Sequence, residues 1–388
     1  LDDHSRFLLG LDACGNERTQ TVKPLLERVF RLYGLPEALY LDNGSPWGGG
    51  VPGQWTPLGV WLLKLGIEVI HSPFALSRRQ FLEERGAEFE LIYITRYTIA
   101  AETLPLIQQH APQAKLLFCN ADLHYLRELR AAQAQGLEGD AALHAREAVQ
   151  AVKAQELQVM RQVDLTLSYS EVERAVIEAD SLGEIAVAPC PWVVESCSAI
   201  APLTQRQGLA FLGSYGHPPN REAMEHFLSQ QWPAIQAQWP ALQFHIYGSG
   251  LSQELAEQWE QRPGVVVEGW IANASDLYQR HRLFLAPLRS GAGIKGKVIA
   301  AAAHGIPQIL SPLAAEATGL RHRQEVWIAR TTADWLEAVS ELCSNDSLWQ
   351  EMSRASQRFT AEHYSRKRGL QIMRDAFERL QLPVGSAA

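Results

Sequence analysis

The chain has 388 residues, room for two or three domains. At 46% hydrophobic and 20% charged it has an ordinary globular composition, and its formal net charge of -8 excludes a protein built to coat nucleic acid. No run approaches the roughly 18 apolar residues that cross a bilayer, and no basic leader opens the chain, so a cytoplasmic setting is expected. Leu1 in place of an initiator Met reads as a fragment or an incomplete frame. The cysteines (Cys14, Cys119, Cys190, Cys197, Cys343) are odd in number and form no CxxC pair, which indicates neither zinc nor a disulfide framework. Cys190 and Cys197 lie near enough to bridge, but free buried thiols are the expectation for a cytosolic protein.

In chain order, residues 1–72 differ in tone from the rest, with "YLDNGSPWGGG" inside a Gly/Pro-rich loop. The pattern predicts helix over 22–33, strand over 37–42, helix over 57–65 and strand over 67–71. This run offers parallel strands to sit beside residues 89–95. Next come three buried-strand runs, "EFELIYITR", "AKLLFCNADLH" and "VDLTLSYS", each followed by helical sequence, with a long helix over 140–162. "EIAVAPCPWVV" is a last strand running into a Pro-bounded linker. From about residue 208 short strands alternate with helices: "LAFLGSY", "NREAMEHFLSQQWPAIQAQW" with Asn220 as its cap, "LQFHIYGSG", "VVVEGW", "DLYQRH", "RLFLAPL", "PQILSP" and "EVWIAR". Helices over 331–345 and about 347–382 finish the pattern. Alternation of this kind implies parallel sheets covered on both faces, in two α/β domains that enclose a cleft.

The densest chemistry is "APLRSGAGIKGKVIAAAAHGIPQILSP". A strand that ends at Pro287 leaves its loop at the carboxyl edge of a parallel sheet, where such sheets bind ligands. Gly291 and Gly293 let a ligand approach the backbone, and the following helix start favours an anion. Lys295, Lys297 and Arg289 add positive charge, so the reading is a diphosphate held by bare backbone, helix start and cations. It is not a Walker A loop, because Val298 stands where Ser or Thr is needed. "FLGSYGHPPN" and "HIYGSG" supply two more glycine loops on the same edge.

The series "FLGSYGHPPNREAM", "FHIYGSG", "VVVEGW", "LFLAPLRSGAGIKGKVIAAAAHGIPQIL" and "AAEATGL" resembles the C-terminal domain of group 1, GT-B fold glycosyltransferases. The resemblance covers 208 to about 375 and continues upstream through "SRRQFLEERGAEFELIYITRYTIAAETLPLIQQHAPQAKLLFCNADLHYLRELR". It implies an α/β chain of GT-B type with two Rossmann-like domains, a truncated acceptor-side domain over 73–200 and a nucleotide-sugar domain over 201–388, whose last helix crosses back. It also implies sugar transfer from a nucleotide-diphospho-sugar to a saccharide or glycolipid acceptor, with retention and without metal or other cofactor, and with peripheral membrane contact open. Gly213 and Ser214 are placed near the donor diphosphate, with Arg289, Lys295 and Lys297 as counter-charges and Gly291 and Gly293 against it. Asp122 and His124 are placed at the donor sugar, and Tyr247, Gly248 and Glu316 at the nucleotide or sugar. Two departures stand out: Ala300 replaces a Glu that holds ribose or sugar hydroxyls in many relatives, and Ala292 replaces another. A non-catalytic sugar-nucleotide binder and an epimerase are the rival readings of this half.

"LDDHSRFLLGL", "LLERVFRLYGLPEALYLDNGSPWG" and "WTPLGVWLLKLGIEVIHS" resemble the integrase core of insertion-sequence transposases, an RNase H-like fold. Asp42 matches the second of the three carboxylates that hold two metal ions in that family. The first would lie upstream of Leu1, and Glu83 and Glu84 sit in the wrong motif for the third. One ligand of three cannot hold the metals, so no strand transfer and no functional nucleic-acid binding are expected. Residues 1–72 thus read as a partial transposase fragment joined between about 66 and 76, and an inert fusion product is the alternative to a working enzyme.

Overall fold

A computed structural model describes residues 19–33, 38–40, 56–65, 68–70, 77–195, 197 and 200–383. Asp42 and Cys14 lie outside the described residues. The leading segment gives α1 (Thr19–Tyr33), β1 (Ala38–Tyr40), α2 (Pro57–Lys64) and β2 (Glu68–Ile70). Its two strands pair in parallel, Leu39 opposite Val69. Among the described residues they form a sheet of their own and do not extend the sheet that begins near residue 89, as the sequence had suggested. The reason lies in the packing: Val22, Leu58 and Leu62 bury against one another as a separate small core.

The first lobe runs α3 (Arg78–Arg85), β3 (Leu91–Thr95), α4 (Tyr97–His110), β4 (Lys115–Cys119), α5 (His124–Gln135), α6 (Gly139–Met160), β5 (Leu165–Ser168), α7 (Glu171–Asp180) and β6 (Val187–Pro189). The four strands pair in parallel in the order β3-β4-β5-β6. Alternation along β4 sends Leu116 and Phe118 into one core with Leu104, Ile107, Leu157 and Ile177. It sends Leu117 and Cys119 to the opposite face.

The second lobe follows, with β7 (Leu209–Leu212), α8 (Pro218–Gln230), α9 (Trp232–Gln238), β8 (Phe244–Tyr247), α10 (Gln253–Glu260), β9 (Val265–Gly269), α11 (Ala274–Arg280) and β10 (Leu283–Ala286). Then come α12 (Gly296–Ala303), β11 (Gln308–Leu310), α13 (Pro312–Ala315), β12 (Trp327–Ile328), α14 (Thr332–Ser344), α15 (Asp346–His363) and α16 (Arg366–Arg379). Strand order is β12-β11-β10-β7-β8-β9, all parallel. The winding reverses between β7 and β10, so the loops leaving those two strands diverge and open a crevice between them.

Two expected elements need correction. The helix over "NREAMEHFLSQQWPAIQAQW" is two helices, α8 and α9, and Asn220 is not its cap. Pro218 and Pro219 start α8 two residues earlier, as proline favours a first helical turn, and Pro233 starts the second helix. The final helix breaks at Tyr364, and Ser365 recaps the chain by accepting from the Arg368 amide. In α16, Met373, Ala376, Phe377 and Leu380 pack on Leu117, Leu165 and Leu167 of the first sheet.

Candidate active site

The glycine loops after β7 and β8 lock together. The Gly213 amide donates to Tyr247 O at 3.1 Å and the Tyr215 amide to Ser249 O at 2.8 Å. Gly248 has φ 142°, and a Cβ there would lie 1.6 Å from Gly213 O, so its bareness serves this stacking. Tyr247 is turned into the sheet, 3% exposed, with its hydroxyl 2.9 Å from His281 Nε2. Ser214 stays exposed, and its carbonyl accepts from Asn220 Nδ2 at 2.8 Å.

The loop after β10 turns at Gly291 (φ 117°) and Gly293 (φ 69°), conformations that disfavour a side chain. Lys295 precedes α12, which starts without a side-chain cap; the Lys295 carbonyl accepts from the Val298 and Ile299 amides, and the Gly296 and Lys297 amides find no partner among the described residues. The Lys295 ammonium is buried and folds back onto Gly293 O at 2.6 Å and Ala292 O at 3.2 Å. Lys297 donates to Asn220 Oδ1 at 2.6 Å and stands 4.4 Å above the Phe211 ring. Asn220, read from sequence as a cap, thus ties the loop after β7 to the start of α12. Burial lowers the pKa of both lysines, and with Lys295 nearby Lys297 is pushed down to about 7. Among the described residues neither ammonium has a carboxylate within ion-pair distance. Arg289 does not join them. It is half-exposed and sits 3.8 Å from Glu222, which also accepts from Ser290 Oγ at 2.6 Å.

Across the crevice, the first lobe presents Asn120 to His124 from the end of β4. Ala121 takes φ 61°, strained for a residue with a side chain. Asp122 pairs with Arg127 and lies 3.9 Å from His124 Nδ1. His124 opens α5, whose first amides, His124 N and Tyr125 N, both donate at 3.0 Å to Glu156. The Glu156 carboxylate, fully buried on α6, also meets His124 Nδ1 at 3.2 Å, and this bond raises the imidazole pKa. His217 faces the same space from the second lobe. Partial burial and the charges of Arg127 and Lys297 lower its pKa against the opposing pull of Asp122.

The lobes touch at the glycine loop itself. Glu173 Oε1 accepts from Leu123 N at 3.0 Å and from Gly293 N at 2.7 Å. Arg130 grips both oxygens of Glu316 at 2.8 and 2.9 Å and donates to Gly291 O at 3.1 Å. Glu316, expected at the nucleotide or sugar, is thus a bond between lobes. Glu156, Glu173, Arg127 and Arg130 were not singled out from sequence; Glu156 interrupts an apolar helical stripe with Val149 and Met160, a signal that was there to read. Ala300 lies in α12, where its carbonyl accepts from His304 Nδ1 at 2.8 Å and from the His304 amide at 3.1 Å. Among the described residues no three His, Cys, Asp or Glu are grouped to hold a metal, and no helix is long and apolar enough to cross a membrane.

Residues 206–345 match the family model of group 1 glycosyl transferases. An uncharacterised 44.6 kDa protein of the Klebsiella pneumoniae cps region is 24% identical over 166 residues, 41% of this chain and 42% of that protein. Sucrose-phosphate synthase of Thermosynechococcus elongatus superposes with TM-score 0.63 at 13% identity, over 97% of each chain. A mutant of S. aureus TarM, crystallised with Fondaparinux, alpha-GlcNAc-glycerol and UDP, superposes at TM-score 0.58 and 12% identity over 77% of this chain and 58% of its own. The chain therefore spans less than two thirds of TarM and of the Klebsiella protein. The two parallel sheets and the crevice between them are a GT-B-like fold, and residues 206–345 are similar to the group 1 glycosyl transferases.

Proposed function

We propose that the chain transfers a sugar from a nucleotide-diphospho-sugar to a saccharide or lipid-linked acceptor, with retention and without a metal. The observation that carries this is the pair Lys295 and Lys297. Two lysine amines are held at the strand-order reversal, beside an uncapped helix start, with no carboxylate of the described residues within ion-pair distance, although Glu316, Glu173 and Asp122 act on Lys295 from further off. Desolvating cations in this way is costly unless an anion arrives to face them. A diphosphate supplies that anion, and negative charge growing on it as the sugar leaves is stabilised by the same groups. Ser214 stands exposed on the neighbouring loop, which Gly213 anchors to the loop after β8, and His124 with Asp122 faces the donor sugar from the other lobe. Arg289 stands further out, where it meets the donor only at the rim. Residues 1–72 enter this reading as an integrase-core remnant with no part in transfer.

UDP is the first probe, because TarM was crystallised with it. Calorimetry of the full chain with UDP should give saturable binding, weakened about tenfold or more by Lys297→Ala. An unchanged dissociation constant in that variant would remove the donor-site assignment. Proton NMR of the transferred sugar's anomeric signal separates retention from inversion.

A further inference from the structure

The loop from Gly291 to Lys295 has four backbone groups engaged by three charged side chains. Two of those side chains come from the other lobe. Glu173, on α7, holds the Gly293 amide at 2.7 Å with the same oxygen that holds Leu123 N at 3.0 Å, at the start of the His124 helix. Gly293 O in turn receives the Lys295 ammonium at 2.6 Å. Arg130, on α5, holds Gly291 O at 3.1 Å while its fork is fixed by Glu316. The approach is close: a Cβ on Gly293 would lie 3.1 Å from Asp122 Cβ and 3.4 Å from Ala121 O. Glu173 is 1% exposed, and burial raises its pKa against the opposing pull of those two amides and, from further off, of Lys295. Such a carboxylate is expensive to bury, and its bonds are the strong, charge-assisted kind.

A glycine loop left to itself samples many conformations. Bonds that fix it before a ligand arrives reduce the ordering cost of binding. The geometry points to Glu173 and Arg130 as positioning residues of the donor site: the first lobe sets the shape of the second lobe's glycine loop, and diphosphate affinity depends on their contact. The inference rests on the donor site proposed above. In it the Gly293 amide faces Glu173, so the diphosphate is gripped by Lys295, Lys297 and the first amides of α12.

The test uses the full chain with UDP. Hydrogen exchange should show the Gly293 amide protected without ligand, and Glu173→Ala should speed its exchange about tenfold or more and weaken UDP binding about tenfold. Glu173→Gln keeps an acceptor oxygen and should retain most of both, which guards against reading a folding defect as a positioning effect. Arg130→Glu and Glu316→Arg should each weaken UDP binding, and the double variant, which restores an opposite pair, should recover it. UDP affinity unchanged in Glu173→Ala and Arg130→Glu overturns the positioning role while leaving the donor site standing. Absence of UDP binding by the unaltered chain overturns the donor site, and the inference with it.

Discussion

Glu156 has two tasks in the first lobe. It ends the otherwise unpaired amides of α5 and it holds the ring of His124 at 3.2 Å. A carboxylate at a helix start is electrostatically favoured, and here it comes from a neighbouring helix. Because that bond holds the folded pKa of His124 above its ordinary value of 6.5, the stability it adds is present at low pH and lost as pH rises through the folded value. Glu156→Gln should bring the imidazole titration downward, read by NMR of the ring proton, and should remove that part of the pH dependence. Lys297 works in the opposite direction. Its folded pKa of about 7 lies below the ordinary 10.5, so between those values the unfolded chain binds more protons and stability rises with pH. A diphosphate that recharges the amine must take up a proton there, and its affinity must fall as pH climbs above 7. Calorimetry in buffers of different ionisation enthalpy measures that uptake, which Lys297→Met should abolish. The lysines and glycines were legible in the sequence because they lie within one short loop. Glu156, Glu173 and Arg130 were not, because their partners lie 32, 120 and 186 residues away.

Among elements, the buried strands read well from sequence, since a strand covered on both faces is a continuous apolar run, as "LFLA" of β10 is. Helix boundaries read less well. Asn220 has the residue type of a cap, but the prolines just before it start the helix sooner and leave its amide free to join Ser214 and Lys297. The leading strands β1 and β2 carried the right pattern and the wrong partner, since periodicity gives no information about which sheet edge a strand meets. Glycine-rich sequence likewise does not separate backbone bared for a ligand from backbone bared for another loop. Gly248 is of the second kind. Gly248→Ala should lower stability by more than about 2 kcal/mol, because the new methyl meets a carbonyl that cannot rotate away. Urea denaturation followed by tryptophan fluorescence checks this, and a loss near zero would mean the two loops part easily.

On the scale of the whole molecule, the lobes are joined by polar contacts at the crevice and by an apolar one behind it. Phe377, 1% exposed, sits in the core that α16 builds on the first sheet. Phe377→Ala should cost about 3–5 kcal/mol and be felt in the first lobe, although the residue follows the second in sequence. Hydrogen exchange of the β4 and β5 amides is the measurement that locates the damage.

That return of α16 also dictates an order of events during synthesis. Leu117, Leu165 and Leu167 leave the ribosome long before Met373 and Phe377, and every strand of the second sheet is made in between. One face of the first sheet must therefore wait, uncovered, while some two hundred residues are added at the pace of translation. A nascent chain arrested before residue 370 presents that bare apolar face to chaperones and proteases, so truncated products are marked for removal by the same surface that finished ones conceal.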